Sequence, residues 1–143
     1  MLFKNFKRCR GTESIVIILN NYAIKFPVYK KEYFIQKCVP SYISPKIYFY
    51  FCGICMMKYI SGKTLNDVIL NKNLTSEIIN NIENTIKKLV YDFSIFHKDL
   101  HGRNIIIDNN NIIWIIDYGD SCITNNYNYA YAYSMHQIEK IIN

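Results

Sequence analysis

The clearest pattern of apolar and polar positions lies between residues 97 and 119. Two apolar runs, 104–107 and 112–116, are separated by a polar turn of one Asp and three Asn at 108–111. Apolar residues fill both runs, as expected for two strands buried on a core, and Asn tolerates the positive φ of a tight turn. We therefore predict a buried β-hairpin that returns the residues after its second strand to those before its first.

The first 60 residues carry short β-branched and aromatic runs bounded by turn residues, which predict a small antiparallel sheet. An edge strand is weakly signalled within residues 1–10. The clearer strands are expected at 15–18, 22–26, 46–51 and 54–60, with turns at Asn20-Asn21 and Cys52-Gly53. Residues 61–65 are then expected to leave the sheet and lead into a helix.

Helical spacing of apolar residues predicts the longer helices. A short helix is expected at 29–39, a long one at 75–93 and a last one at 129–142, after a loop at 120–126. The long helix would be amphipathic, have about five turns and be capped by Thr75. Three side chains of the short helix are expected to be partly buried: Tyr33, Phe34 and Ile35.

Composition excludes several classes of protein. The 143 residues make one domain, or two small lobes that share a cleft, and the 50% of hydrophobic residues excludes a disordered chain. No apolar run approaches the length of about 20 residues that a membrane span needs. Five cysteines with no secretory signal ahead of them favour reduced thiols and a cytoplasmic location.

Two other features of the composition are interpreted conservatively. The net charge of +6 attracts phosphate backbones, but the basic residues form no stripe with aromatic residues between them. A solvated basic surface is therefore preferred over a nucleic-acid interface. The Cys52-Gly53-Ile54-Cys55 segment has no second pair to complete a zinc site and does not open a helix, so it is interpreted as a hairpin turn.

Three polar side chains flank the predicted hairpin and would converge at one end of it. Asp99 and Asn104 lie at its start and Asp117 at its end. Carboxylate and amide oxygens suit a hard divalent cation, and a separate carboxylate can accept the proton of a hydroxyl nucleophile. Asn104 and Asp117 are candidates for the first role and Asp99 for the second. The alternative is that all three are ordinary turn-forming or solvated loop residues.

The order of these residues resembles a known pair of loops. His97, Asp99 and Asn104 form H-x-D-x-x-x-x-N, and Asp117 with Gly119 forms D-x-G, which is similar to the catalytic and metal-binding loops of the protein-kinase-like superfamily. Asn104 and Asp117 are 13 positions apart, the usual interval in that family.

The resemblance implies a single α+β domain with two lobes. Residues 1–60 would form an N-lobe of antiparallel sheet plus one helix, and residues 61–143 a reduced, mostly helical C-lobe with the catalytic hairpin. Individual motifs are similar to the KEOPS-complex and RIO-type kinases or to aminoglycoside-phosphotransferase-like kinases, and a compact viral kinase would fit the size.

The same resemblance implies that ATP with Mg²⁺ binds between the lobes. Gly11 would lie in the turn over the phosphates, and Lys25, in an Ala-Ile-Lys triplet, would neutralise the inner phosphates. Glu32 would pair with Lys25, although a surface ion pair is the alternative for this residue. Met57 would lie behind the adenine pocket, or serve as core packing, and Ile60 would belong to the hinge.

The activity that the resemblance implies is transfer of the γ-phosphoryl group of Mg-ATP to a serine or threonine hydroxyl of a protein substrate. His101, two residues after Asp99, keeps a small-molecule kinase of the aminoglycoside type as an alternative. A pseudokinase that binds nucleotide or scaffolds a partner without catalysis is another. A partner protein could complete the reduced C-lobe.

Overall fold

The computed structural model of the chain describes the backbone of residues 7–10 and residues 14–143 in full, so Gly11 lies outside the described residues. The elements of the first lobe are β1 (Lys7–Arg10), β2 (Ile15–Leu19), β3 (Tyr22–Phe26), α1 (Lys30–Cys38), β4 (Ile47–Phe51) and β5 (Ile54–Lys58). Their five strands form one antiparallel sheet in the order β1-β2-β3-β5-β4.

The central strand β3 directs Lys25 inward. Successive side chains of a strand point to opposite faces, so Lys25 shares a face with Ala23. Both residues are buried, and Cys55 and Met57 on the neighbouring strand β5 are buried as well. A charged side chain therefore lies on the core-facing side of the sheet, where it needs a partner.

The second lobe contains the hairpin and three helices. Its elements are β6 (Gly62–Thr64), α2 (Leu65–Leu70), α3 (Ser76–Lys87), a π-helical turn (Lys88–Asp92), β7 (Ile95–Phe96), β8 (Ile105–Asp108), β9 (Ile113–Ile115), β10 (Cys122–Ile123) and α4 (Tyr127–Ile142). Strands β6, β8 and β9 form one sheet, and β7 pairs with β10.

A large apolar core fills the second lobe and extends into the first. It includes Ile82 and Ile86 of α3 and Ile105 and Ile115 of the hairpin, all fully buried. Ile43, which follows α1, joins this core, and its carbonyl accepts a hydrogen bond of 2.8 Å from the amide of Ile115. The connection after α1 thus holds the two lobes together.

The long helix predicted at 75–93 is divided. Thr75 caps α3 as expected, since its hydroxyl accepts a hydrogen bond from the amide of Ile78, but the α-helix ends at Lys87 and continues as a π-helical turn. Leu89 and Val90 in that turn are both 1% exposed. Two consecutive apolar side chains thus pack into the core from this wider turn.

Three other expectations differ from the structure. Phe34 is 61% exposed rather than partly buried, because it lies on the outer face of α1, one position before the buried Ile35. The expected exit at 61–65 contains β6, which pairs with β8, and the expected loop at 120–126 contains β10. Within the described part of the chain, no helix is both long and apolar enough to cross a membrane.

Candidate active site

The hairpin β8–β9 returns Asp117 to Asn104. The two strands pair with Ile105 opposite Ile115, and the amide of Ile116 donates a 3.0 Å hydrogen bond to the carbonyl of Asn104. Asp117 follows directly, with a φ of +64°. Short polar residues such as Asp tolerate this left-handed conformation, which turns the chain sharply at the end of the strand. The two residues therefore lie at the same end of the hairpin.

Asn104 also holds Asp99. Its side-chain nitrogen donates 2.9 Å to the carbonyl oxygen of Asp99 and 3.3 Å to the carboxylate oxygen Oδ2. Asn104 is buried, whereas the side chain of Asp99 is 45% exposed. Among the described residues, the other carboxylate oxygen of Asp99, Oδ1, accepts no hydrogen bond. A rigid amide thus fixes a carboxylate that stays open to an incoming molecule.

Lys25 connects the two lobes through two carboxylates. Its Nζ lies 2.5 Å from Glu32 Oε1 on α1 and 2.9 Å from Asp117 Oδ1 after the hairpin. The side chains of Lys25 and Glu32 are 10% and 5% exposed, and that of Asp117 is 48% exposed. Lys25 is thus brought to Asp117, which lies 92 positions away in the chain.

The pKa shifts reflect burial and this shared ammonium group. Burial alone would lower the pKa of Lys25, but the charges of Asp117 and Glu32 outweigh it and the pKa is raised. Burial tends to raise the pKa of Asp117, yet the positive charge of Lys25 lowers it overall. For Glu32 burial dominates, so its pKa is raised although Lys25 opposes the change. Lys25 and Asp117 are therefore both ionised at neutral pH.

His97 supports the loop and does not face the cleft. It is fully buried, and burial lowers its pKa, so the ring is neutral at pH 7. Its Nε2 lies 3.0 Å from the carbonyl oxygen of Ile116, which can only accept, so this nitrogen carries the proton. His97 therefore ties the loop to the end of β9.

Gly102 lets the loop pack against the start of α2. A Cβ at this position would lie 1.9 Å from Oδ1 of Asn66, so any other residue would displace the Asn66 side chain. The amide of Asn66 donates to the carbonyl of Gly102 at 3.3 Å.

The expected adenine-pocket residues lie in the interior. Met57 is buried with Ala23 and Cys55, and Gln36 Nε2 approaches its sulfur at 3.7 Å. Ile60 is also buried. One surface cavity of the second lobe, lined by Lys63, Asp108 and Asn111 among others, lies at the opposite, turn end of the hairpin from Asp117 and contains none of the candidate site residues.

The sequence interpretation missed two residues that contact the loop. Ser121 Oγ donates to the carbonyl of His97 at 3.2 Å, and Gln137 of α4 hydrogen-bonds the residues on both sides of Asp99. Gln137 has a signal in the sequence: it is a polar residue close to the helical stripe formed by Ala130, Ser134 and Ile138, which are buried.

An N-terminal antiparallel sheet with one helix, a buried Lys–Glu pair, and a second lobe with an Asp-Asn-Asp hairpin define the protein-kinase-like superfamily. The resemblance and the two-lobed α+β fold are thereby confirmed. The family model for the ABC1 atypical kinase-like domain matches residues 36–140, and the chain belongs to that family. It is therefore an atypical kinase-like domain.

Other comparisons agree with this class. The chain is 31% identical over 75 residues to a 3-deoxy-D-manno-octulosonic acid kinase of Photobacterium profundum, covering 52% of this chain and 31% of the relative. Two crystal structures of WbdD, one solved at 2.2 Å and one of the monomeric protein, are similar in fold to this chain. The first has a TM-score of 0.67 at 15% identity and covers 87% of this chain and 34% of that one.

For the second WbdD structure the TM-score is 0.64 at 15% identity, with 88% of this chain and 37% of that chain covered. The chain thus spans about a third of the length of each of these relatives.

Proposed function

We propose that this domain transfers the γ-phosphoryl group of ATP to a hydroxyl group of a small molecule, with a sugar acid as the acceptor class. One observation carries the proposal: a buried Asn104 holds a half-exposed Asp99, while Asp117 at the same hairpin end is bonded to Lys25. A proton acceptor, an oxygen ligand and a phosphate-binding cation therefore lie around one cleft.

The residues of the chain have separate tasks in this proposal. Asp99 orients the attacking hydroxyl and accepts its proton at Oδ1, the oxygen that Asn104 does not engage. Lys25 has three donor hydrogens and uses two on Glu32 and Asp117, which directs its ammonium group into the cleft, where it binds the inner phosphates. Glu32 keeps that ammonium group in place.

The donor set fits Mg²⁺ bound together with a nucleotide. Asn104 donates through its nitrogen to Asp99, which leaves the amide oxygen as a ligand, and Asp117 supplies a carboxylate. Among residues 14–143, no cluster of three His, Cys, Asp or Glu side chains could hold a metal by itself. This suits Mg²⁺, which keeps waters and takes phosphate oxygens beside one or two protein ligands. When bound, the ion would neutralise the phosphate charge.

Two features support a small acidic acceptor over a protein side chain. The relative from Photobacterium is named as a kinase of a sugar acid, and its similarity to this chain covers half of the chain. The exposed residues next to Asp99 are basic: Lys98, His101 and Arg103. The positive charges of Lys98 and Arg103 suit a carboxylate on the acceptor. The protein-substrate alternative that the motif implies has no comparable support.

The experiment measures transfer of labelled γ-phosphate from Mg-ATP to 3-deoxy-D-manno-octulosonic acid and, in parallel, to a serine/threonine peptide mixture. Asp99→Asn should lower the rate by about 10²–10⁴-fold, because it removes the proton acceptor and keeps the shape. Asp92→Asn, at an exposed acid of the π-helical turn, is the matched control and should have no effect.

Binding of Mg-ATP distinguishes an active kinase from a domain that only binds nucleotide. Mg-ATP should raise the Tm of wild type and of Asp99→Asn equally, since binding stabilises the folded state by mass action. If Mg-ATP raises the Tm but no acceptor is phosphorylated above the Asp99→Asn background, the domain is a nucleotide-binding module and the proposal fails. Transfer to the peptide mixture alone would contradict the acceptor class.

A further inference from the structure

One side chain of α4 contacts the catalytic loop on both sides of Asp99. The Nε2 of Gln137 donates to the carbonyl of Lys98 at 2.9 Å, and the amide of Leu100 donates to the Oε1 of Gln137 at 3.2 Å. The loop and the helix are almost 40 positions apart in the chain, so this contact depends on the docking of α4.

The backbone at this point needs such support. Lys98 has a φ of +68°, a left-handed conformation that a residue other than Gly keeps only where its surroundings hold it. Three consecutive carbonyls accept side-chain hydrogen bonds: that of His97 from Ser121, that of Lys98 from Gln137 and that of Asp99 from Asn104. Of these three side chains, only Gln137 also accepts a hydrogen bond from a backbone amide of the loop, that of Leu100.

An amide is the side chain that fits this position. It presents a donor and an acceptor in one plane and carries no charge, so it matches a carbonyl and an amide two residues apart. A carboxylate in its place would keep the acceptor, lose the donor and add a negative charge close to Asp99. An apolar side chain of the same length would lose both hydrogen bonds.

We propose that Gln137 is a positioning residue that sets the direction of the Asp99 carboxylate, so that docking of α4 determines the rate of phosphoryl transfer but not nucleotide binding. This inference rests on the function proposed above for Asp99. Among the described residues, Lys25, Glu32 and Asp117 form no hydrogen bond or ion pair with Gln137, so the contacts that hold Lys25 do not pass through it.

The test compares Gln137→Met, which keeps the length and removes both hydrogen bonds, with His136→Met, at the exposed neighbouring position on α4. Gln137→Met should lower kcat by at least tenfold, with KM for ATP and the Tm shift with Mg-ATP within twofold of wild type. His136→Met should change neither. A wild-type kcat in folded Gln137→Met would overturn the proposal, as would a parallel loss of ATP binding.

Amide hydrogen exchange gives a readout that needs no activity. In Gln137→Met the Leu100 amide should exchange at least tenfold faster, while the Ile115 amide, bonded to the carbonyl of Ile43, stays at the wild-type rate. Equal acceleration at both amides would show a loss of global stability and overturn the inference. If wild type phosphorylates no acceptor, the proposed function fails, and selective exchange at Leu100 still supports the role of Gln137 in holding the loop.

A second variant covers a failure of Gln137→Met to fold. Gln137→Glu removes the donor to Lys98, keeps the acceptor for the Leu100 amide and adds a negative charge, and the same kcat and KM measurements apply to it. Its kcat should fall, with KM for ATP unchanged and Leu100 exchange close to that of wild type. A kcat equal to that of wild type would contradict the proposal.

Discussion

The two lobes hold their site residues by different physical means. In the first lobe a small apolar cluster of Ala23, Val28, Cys55 and Met57 backs the sheet, and Lys25 is held by charges from Glu32 and Asp117. In the second lobe a large core supports the loop, and hydrogen bonds from side chains to backbone carbonyls hold the residues around Asp99. Under the proposed function, phosphate binding would therefore depend on electrostatics, and the direction of the Asp99 carboxylate would depend on the packing and hydrogen bonds of the second lobe.

The difference has a consequence for stability. A buried ion pair contributes little net free energy, because removing two charges from water offsets their attraction. Close packing of apolar side chains contributes much more per residue. We therefore expect the second lobe to determine the stability of the domain and the Lys25–Glu32 pair to determine its affinity for nucleotide.

The largest effect should come from a cavity in the second lobe. Ile82→Ala should lower the free energy of unfolding by about 2–5 kcal/mol, since Ile82 is 1% exposed and its neighbours relax only in part. Chemical denaturation measures this value. Ile123→Ala, at a position that is 61% exposed, is the control and should stay within about 0.5 kcal/mol of wild type. Equal losses in both variants would show that packing does not decide stability here.

A pair of variants in the first lobe should separate stability from binding. Lys25→Met leaves Glu32 buried without its partner and should cost about 2–3 kcal/mol of unfolding free energy. Lys25→Met combined with Glu32→Gln removes both charges and should recover most of that loss. Neither variant should gain stability from Mg-ATP in a thermal shift measurement.

The single and the double variant can contradict the expectation that the Lys25–Glu32 pair serves nucleotide binding rather than stability. If the double variant is as unstable as Lys25→Met, the ion pair is a net source of stability. If the double variant still binds Mg-ATP with wild-type affinity, Lys25 has no part in phosphate binding.

The smallest effect is a pH dependence in the first lobe. Burial raises the pKa of the Cys55 thiol from 9.0 to about 11, so the folded chain keeps a proton that the unfolded chain releases in this interval. The free energy of unfolding should therefore fall as pH rises from 9.0 to about 11, by at most about 1.4 kcal/mol per pH unit for this group. Lys25 and Tyr118, whose pKa values are also raised, act in the same direction.

The contribution of Cys55 is isolated by substitution. Cys55→Ala should make this decline shallower in denaturation curves recorded between pH 8 and 11, a range chosen because it includes both thiol pKa values. Cys38→Ala, at an exposed cysteine, is the control and should show the same slope as wild type. An unchanged slope in Cys55→Ala would show that another group releases the proton.

Local patterns in the sequence, with the resemblance to the protein-kinase-like superfamily that they carry, were sufficient for the fold class and for the candidate loop residues. The hairpin was predictable because two apolar runs around an Asp-Asn turn encode it within a few residues, and the strands are β8 and β9. The spacing of His97, Asp99, Asn104 and Asp117 lies within that same short segment. In contrast, the prediction that Phe34 is partly buried was wrong, because the direction of α1 relative to the sheet decides which aromatic residues of the helix are covered.

The sequence by itself determined the kinds of side chain and their order: an acid and an amide around a hairpin, and a lysine on a strand. Only the tertiary structure decided which of them meet. It brought Lys25 to Asp117 across 92 positions and Gln137 to the loop across 39, and it placed a π-helical turn where two apolar residues both face the core. Such contacts depend on how whole elements pack, because packing sums many weak interactions that no local pattern of residues records.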